Sequence, residues 1–265
     1  MHQRIAIIGG GVMGETILSG LLRAGYADVV VAEKRAEIAE AIGQRHGVAV
    51  LSPVDAVRAA HVVFLAVKPQ DMGALLDVVG SEVPDGALVV SIAAGITTEF
   101  LEQRVSHGVA CVRAMPNTPA LVAEGMSAVA AGSRCTPEQV GLAAELLECV
   151  GRVVTVPEDL MNAVTAVSGS GPAYLFFLVE AMVASGVSLG LAPEVARELA
   201  VQTVVGASAM LRITGEEPAV LRQRVTSPKG TTAAAIAVLE EEGVRETVAR
   251  ALTAARDRGR ELSGG

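Results

Sequence analysis

Tryptophan is absent from the chain, and aromatic residues make up only 2% of its 265 positions. Platforms for stacking nucleic-acid bases are thereby excluded. Positive charge is also short: 21 Lys and Arg face 29 Asp and Glu, a net charge of −8. A general nucleic-acid binder needs the opposite surplus, because its affinity comes largely from neutralising phosphates. Cysteine is limited to Cys111, Cys135 and Cys149. That odd number, at no metal-like spacing, reads as reduced thiols in a cytoplasmic protein. The four histidines end at His107. A His-based metal site or a histidine base in the second half is therefore ruled out, and no metal is expected. There is no uninterrupted apolar run of about 18 residues, so no membrane span is expected. The best candidate, 173–187, is broken by Glu180, Ser185 and Gly186. Met1-His2-Gln3-Arg4 runs straight into Ile5 without a secretory leader pattern.

What the chain does have is aliphatic mass. Hydrophobic residues account for 51%, enough for a sizeable core, and the length suits two domains. Residues 1–157 alternate between strand-like apolar runs (5–8, 29–32, 62–67, 87–92, 109–112, 153–156) and helical stretches (12–24, 36–46, 70–79, 97–103, 137–149). Several runs are apolar throughout, as in strands covered on both faces. The alternation predicts an α/β fold, a doubly wound parallel sheet of Rossmann type. Past Pro157 the texture changes. Residues 158–265 contain no convincing strand, and helices are expected over 172–189, 193–213, 230–242 and 244–262. Ser170 is a candidate N-cap for the first of them. This all-helical domain carries more aliphatic surface than a lone bundle can bury, which points to packing against a second copy.

The chemistry-bearing segments fall in loops. Gly9-Gly10-Gly11-Val12-Met13-Gly14 follows the first strand, from Ile8, and opens the first helix. Glycines there let the backbone approach a pyrophosphate that faces the helix N-terminus. At the end of the second strand the signals conflict. Glu33 would accept hydrogen bonds from a ribose 2′-hydroxyl, whereas Lys34 and Arg35 would attract a 2′-phosphate. Ala66-Val67-Lys68-Pro69 and Ile92-Ala93-Ala94 end two further buried strands, the edge where a doubly wound sheet takes its ligand. Only three of the 21 basic residues are lysines (Lys34, Lys68 and Lys229), and all three lie in such loops. Ser227-Pro228-Lys229-Gly230-Thr231-Thr232 opens a helix with hydroxyls and free amides, a receptor for a small carboxylate or an elaborate cap. A shortage of bases favours reducing an imine over oxidising an alcohol, since a protonated C=N bond needs only positioning and an anchor. Lys229 keeps the alcohol reading open.

These motifs, together with Arg113-Ala114-Met115-Pro116-Asn117-Thr118-Pro119 and Ala166-Val167-Ser168-Gly169-Ser170-Gly171-Pro172, resemble the Δ1-pyrroline-5-carboxylate reductase family over nearly the whole chain. The resemblance implies NAD(P)H bound by 8–14, 66–69 and 92–94, with NADPH favoured through Lys34 and Arg35 and NADH as the alternative. It implies hydride transfer to the imine carbon of 1-pyrroline-5-carboxylate, giving L-proline. It places the substrate carboxylate on Ser227, Lys229, Gly230, Thr231 and Thr232, with Thr232 hydrogen-bonding the ring nitrogen as the catalytic residue. It also implies a homodimer built by the helical domain, and dimers that assemble into decamers. The family's loop carries glycine where this chain has Lys229. Rival readings are a related imine or β-hydroxyacid dehydrogenase and a non-catalytic nucleotide-binding protein. The first would need a catalytic lysine early in the helical domain, and 161–167 has none. The second should have lost the 227–232 loop.

Overall fold

A computed structural model describes residues 3–262. One compact unit runs through Ser170 and takes in the residues from Ala255 onward; Gly171–Ala254 form the other.

The first unit is built on an eight-stranded sheet. Its strands are β1 (Ile5–Ile8), β2 (Val29–Ala32), β3 (Ala49–Val50), β4 (Val62–Leu65), β5 (Leu88–Ser91), β6 (Ala110–Met115), β7 (Gly125–Ala131) and β8 (Gly151–Thr155). They lie in the order β3-β2-β1-β4-β5-β6-β7-β8, parallel except where β7 meets β6. The helices of this unit are α1 (Val12–Arg23), α2 (Ala36–His46), α3 (Pro53–Val57), α4 (Met72–Val79), α5 (Thr98–Glu102), α6 (Pro137–Glu148) and α7 (Met161–Val164). Every residue of β1, β2, β4 and β5 is buried. Successive side chains go to opposite layers: Ala6 and Ile8 pack with Val63, Leu65 and Val89, whereas Ile5 and Ile7 pack with Phe64, Leu18 and Val90. This two-sided burial is why those strands are apolar throughout. Ser52, Thr97 and Thr136 cap α3, α5 and α6, the last through a capping box with Gln139.

The parallel sheet expected from the sequence is present, with an antiparallel addition. β7 escaped notice because Gly-Met-Ser-Ala-Val-Ala-Ala has almost no β-branched or aromatic residues. Its small side chains are nonetheless buried at five of seven positions.

The change of texture at Pro157 does not coincide with the division between units. After a single 3₁₀ turn, Glu158–Leu160, Met161 packs on Ala128 and Ala130, and Asn117 donates from Nδ2 to the Ser168 carbonyl at 3.0 Å. These contacts tie 158–170 to the sheet. Ser170 is not an N-cap. Its N–H donates to Thr165 O at 2.8 Å, closing a π-turn over Thr165–Gly169 that feeds directly into the next helix.

The second unit holds α8 (Gly171–Ser188), α9 (Pro193–Thr214), α10 (Pro218–Arg224) and α11 (Thr231–Glu241), and α12 (Val244–Leu262) begins in it. Pro193 and Pro218 sit at first helical positions, where a missing N–H costs nothing. α10 was not expected; with seven residues it shows little periodicity. No residue of α8, α11 or α12 is buried, and Phe176 and Phe177 are 63% and 73% exposed. The helical stretch Glu158–Ser188 is long and apolar enough, by length and composition alone, to cross a bilayer, and only 6% of its most apolar window is buried. Glu180, Ser185 and Gly186 interrupt it.

Candidate active site

The strand order reverses at β1, which lies between β2 and β4. Open α/β sheets bind ligands outside the carboxyl ends of the strands at such a switch point. The register draws a straight line there. Ile8 pairs with Leu65, Leu65 with Ser91, and Ser91 with Arg113. Segments 9–14, 66–69 and 92–94 therefore leave the sheet side by side along one edge.

Gly9 and Gly14 let backbone segments approach closely. Gly9 has φ +111°, and a Cβ on it would lie 2.6 Å from the Ala66 carbonyl oxygen; on Gly14 it would lie 2.0 Å from Gly9 O. Gly11 faces nothing within 4 Å and caps α1 without any side-chain bond. The first amides of α1 are thus open, at the positive end of a 12-residue helix. These features fit the pyrophosphate of a dinucleotide. Val12 is exposed and Met13 half-buried at this mouth. Glu15, the acid of that first turn, is turned aside to Arg45 and to His46, the latter at 2.9 Å. A cavity of about 330 Å³ opens there, lined by Val12, Glu15, Arg23, Arg45, His46 and Leu121 among others.

The neighbouring strand ends follow. Ala66 N–H donates to Ile8 O at 2.8 Å, and Ile92 N–H to Leu65 O at 3.1 Å. Ala66, Val67 and Ile92 are half-buried, Ala93 is buried, and Lys68, Pro69 and Ala94 are exposed. Beyond them Arg113, only 6% exposed, lies 3.5 Å from Glu158 Oε1. Burial pulls the Arg113 guanidinium down while the Glu158 charge supports it. Glu158 also accepts from the Thr98 N–H at 2.8 Å and from its hydroxyl. This buried polar link was not legible: 45 residues separate Arg113 from Glu158.

Glu33 directly follows β2, and its side chain is 4% exposed. It accepts from the Gly10 N–H at 2.9 Å, from the Arg35 N–H at 2.9 Å, and from Arg35 Nε and Nη2 at 2.9 and 3.0 Å. The Arg35 guanidinium holds the carboxyl down to about 2, against the opposing pull of partial burial. Lys34 is paired with Asp71 at 3.1 Å. Both cations expected to attract a 2′-phosphate are therefore engaged with acids, and sequence reasoning missed Asp71 altogether.

In the helical unit, Ser227–Gly230 form a turn closed by Gly230 N–H to Ser227 O at 3.0 Å. Pro228 is its second residue and Lys229, with φ +62°, its third, the pattern of a type II turn. Glycine suits that third position, so the lysine sits in the left-handed region at some cost. Lys229 is exposed, as are Ser227 and Thr231, whereas Gly230 and Thr232 are half-buried. α11 starts immediately after, with Gly230 as an N-cap lacking a side-chain bond and no acid in the first turn. Its leading amides and the Thr231 and Thr232 hydroxyls are placed to receive an anion.

Comparison with known proteins assigns this combination. A pyrroline-5-carboxylate reductase of Mycobacterium tuberculosis is 45% identical over 98% of this chain and 96% of its own length. The chain belongs to the pyrroline-5-carboxylate reductase family. The family model for pyrroline-5-carboxylate reductase dimerisation matches residues 158–262, beginning at the glutamate that holds Thr98. A model described as NADP oxidoreductase coenzyme F420-dependent matches residues 4–95, the span of the three edge loops. Among solved structures, the pyrroline-5-carboxylate reductase of Coxiella burnetii aligns at TM-score 0.93, 38% identical over 99% of both chains. The Plasmodium falciparum pyrroline carboxylate reductase, with NADP bound, aligns at 0.85, 25% identical over 98% of both chains.

Proposed function

We propose that this protein reduces 1-pyrroline-5-carboxylate to L-proline with NAD(P)H, the last step of proline biosynthesis. The observation that carries the reading is near-complete coverage: relatives named for that activity match both units and the loops of each. NAD(P)H, when bound, supplies the hydride that converts the C=N bond to C–N. The residues of the chain do the rest. Gly9, Gly10 and Gly14 let the loop pack tightly on the neighbouring strand end, side chains and helix, Gly11 borders open space where the coenzyme approaches, and the open start of α1 receives its pyrophosphate. Ala66–Pro69 and Ile92–Ala94 wall the same edge. Ser227, Lys229, Gly230 and Thr231 hold the substrate carboxylate at the positive end of α11. The Thr232 hydroxyl hydrogen-bonds the ring nitrogen, orienting the protonated imine.

The apolar faces of α8 and α9 pack against a second copy, forming a homodimer that can assemble further, and the enzyme works in the cytoplasm. A partner helix covering Phe176 and Phe177 accounts for the exposed apolar stretch without a membrane.

The test is loss of reduced-nicotinamide absorbance with purified protein and racemic pyrroline-5-carboxylate, with NADH and NADPH in parallel. Turnover with either is expected. Thr232→Ala should lower kcat by about 10- to 100-fold while leaving coenzyme affinity unchanged. Full activity in that variant removes Thr232 from the mechanism.

A further inference from the structure

Glu33 is the most heavily bonded side chain on the coenzyme edge. Its two oxygens accept four N–H groups, one from Gly10 and three from Arg35. The Gly10 bond ties this carboxylate to the middle of the glycine loop. A Cβ on Gly10 would meet Ile42 Cδ1 at 2.4 Å and Glu33 Oε2 at 3.4 Å, so loop and carboxylate are packed in contact. Glu33 is thus a fixed, buried negative charge at the position where the ribose end of a dinucleotide lies in such sheets.

Each of the two cations beside it is already paired with an acid. The Arg35 guanidinium lies in line with the carboxylate, giving Nε to Oε1 and Nη2 to Oε2. Lys34 is held by Asp71. The Arg35 side chain is 55% exposed, however, and so can swing away. What it offers Glu33 is two parallel donors. A ribose diol offers two O–H donors to the same acceptor and can take that place. A 2′-phosphate has only acceptors at neutral pH, and it would bring about two negative charges against a carboxylate that does not protonate there.

We propose that Glu33 selects NADH against NADPH in this chain, and that Arg35 is a placeholder donor that aims the carboxylate rather than a receptor for the 2′-phosphate. The assignment rests on the reading of the first unit as the NAD(P)H-binding unit. The NADP-bound Plasmodium relative shows that members of the family take the phosphorylated coenzyme; the choice here follows from this chain's own Glu33, Arg35, Lys34 and Asp71.

The experiment is equilibrium titration of the full-length protein with NADH and with NADPH, without pyrroline-5-carboxylate, read by calorimetry or nicotinamide fluorescence. NADH should bind about tenfold or more tightly, since juxtaposed like charges are costly. Glu33→Ser should bring the two affinities close together, mainly by improving NADPH. Because that change also removes the Gly10 acceptor, Arg35→Ala is the companion variant. It leaves the carboxylate in place, so NADH should remain favoured, with NADPH weakened no more than NADH. Tighter or equal NADPH binding by the unaltered protein overturns the proposal. So does an unchanged affinity ratio in Glu33→Ser, or a selective loss of NADPH in Arg35→Ala, which would make Arg35 the phosphate receptor. Binding of neither coenzyme overturns the coenzyme reading of the whole unit and this selection with it, a result separable from the others because both titrations are then flat.

Discussion

The two units solve the burial problem in opposite ways. In the first, β1, β2, β4 and β5 are fully buried and two apolar layers close over the sheet within one chain. In the second, α8 has no buried residue, and large hydrophobics stand exposed along α8 and α9. The sheet can complete its core from its own sequence. The helices cannot, and their stability is tied to whatever covers them.

Substitution separates the two regimes. Phe64 is fully buried among Ile5, Ile17 and Leu18. Phe64→Ala should cost about 3–5 kcal/mol, and the loss of thermal midpoint should be the same at every protein concentration. Phe177→Ser should act differently. The midpoint of the unaltered protein should rise with concentration, and in this variant that dependence should shrink. A midpoint insensitive to concentration in the unaltered protein would mean that the helical unit stands without a partner.

Lys229→Gly probes the helical unit's own loop. Glycine relieves the left-handed turn position but frees the unfolded chain, so stability should rise by at most about 1 kcal/mol. The KM for the imino acid should rise as well, because an ammonium beside the start of α11 is lost. An unchanged KM would leave Lys229 a solvent-facing residue.

The smallest effect lies in the first unit, at acid pH. The Glu33 carboxyl is held at about 2, below its ordinary 4.5. A depressed carboxyl contributes stability that is fully present above the unfolded value and is lost as pH falls from about 4.5 towards 2. The contribution is muted because Arg35 is half exposed and screened by solvent. Thermal unfolding of Glu33→Gln over this range should show a flatter pH dependence than the unaltered protein. Equal slopes would mean that the ion pair does not couple to folding.

Legibility in the sequence followed the range of the interactions. The edge loops were readable because glycine spacing, a preceding apolar run and a following helix all sit within a few residues. The charges of Lys34 and Arg35 were readable but their pairing was not: Asp71 lies 37 residues from Lys34. β7 was hidden by its small residues, whose burial comes from pairing with β6 and β8 rather than from their own bulk. The π-turn before α8 was hidden as well. Gly-Ser-Gly-Pro looks like a helix start, whereas the Ser170 N–H bond to Thr165 O shows the chain already wound there. The family's loop has glycine where this chain has Lys229, and the turn keeps the left-handed angle with a lysine in it.

The first unit is discontinuous, interrupted by residues 171–254 and resumed at Ala255. Its resumed part runs along the end of α12, where Gly259 comes so close to Asn162 that an added Cβ would lie 3.1 Å from Oδ1. During synthesis the sheet and its covering helices leave the ribosome first, but the piece that completes their unit is made after the entire helical unit. The nascent sheet must therefore wait, unfinished, through more than eighty residues of helices with large exposed hydrophobics, the interval in which mispairing with another copy is most costly.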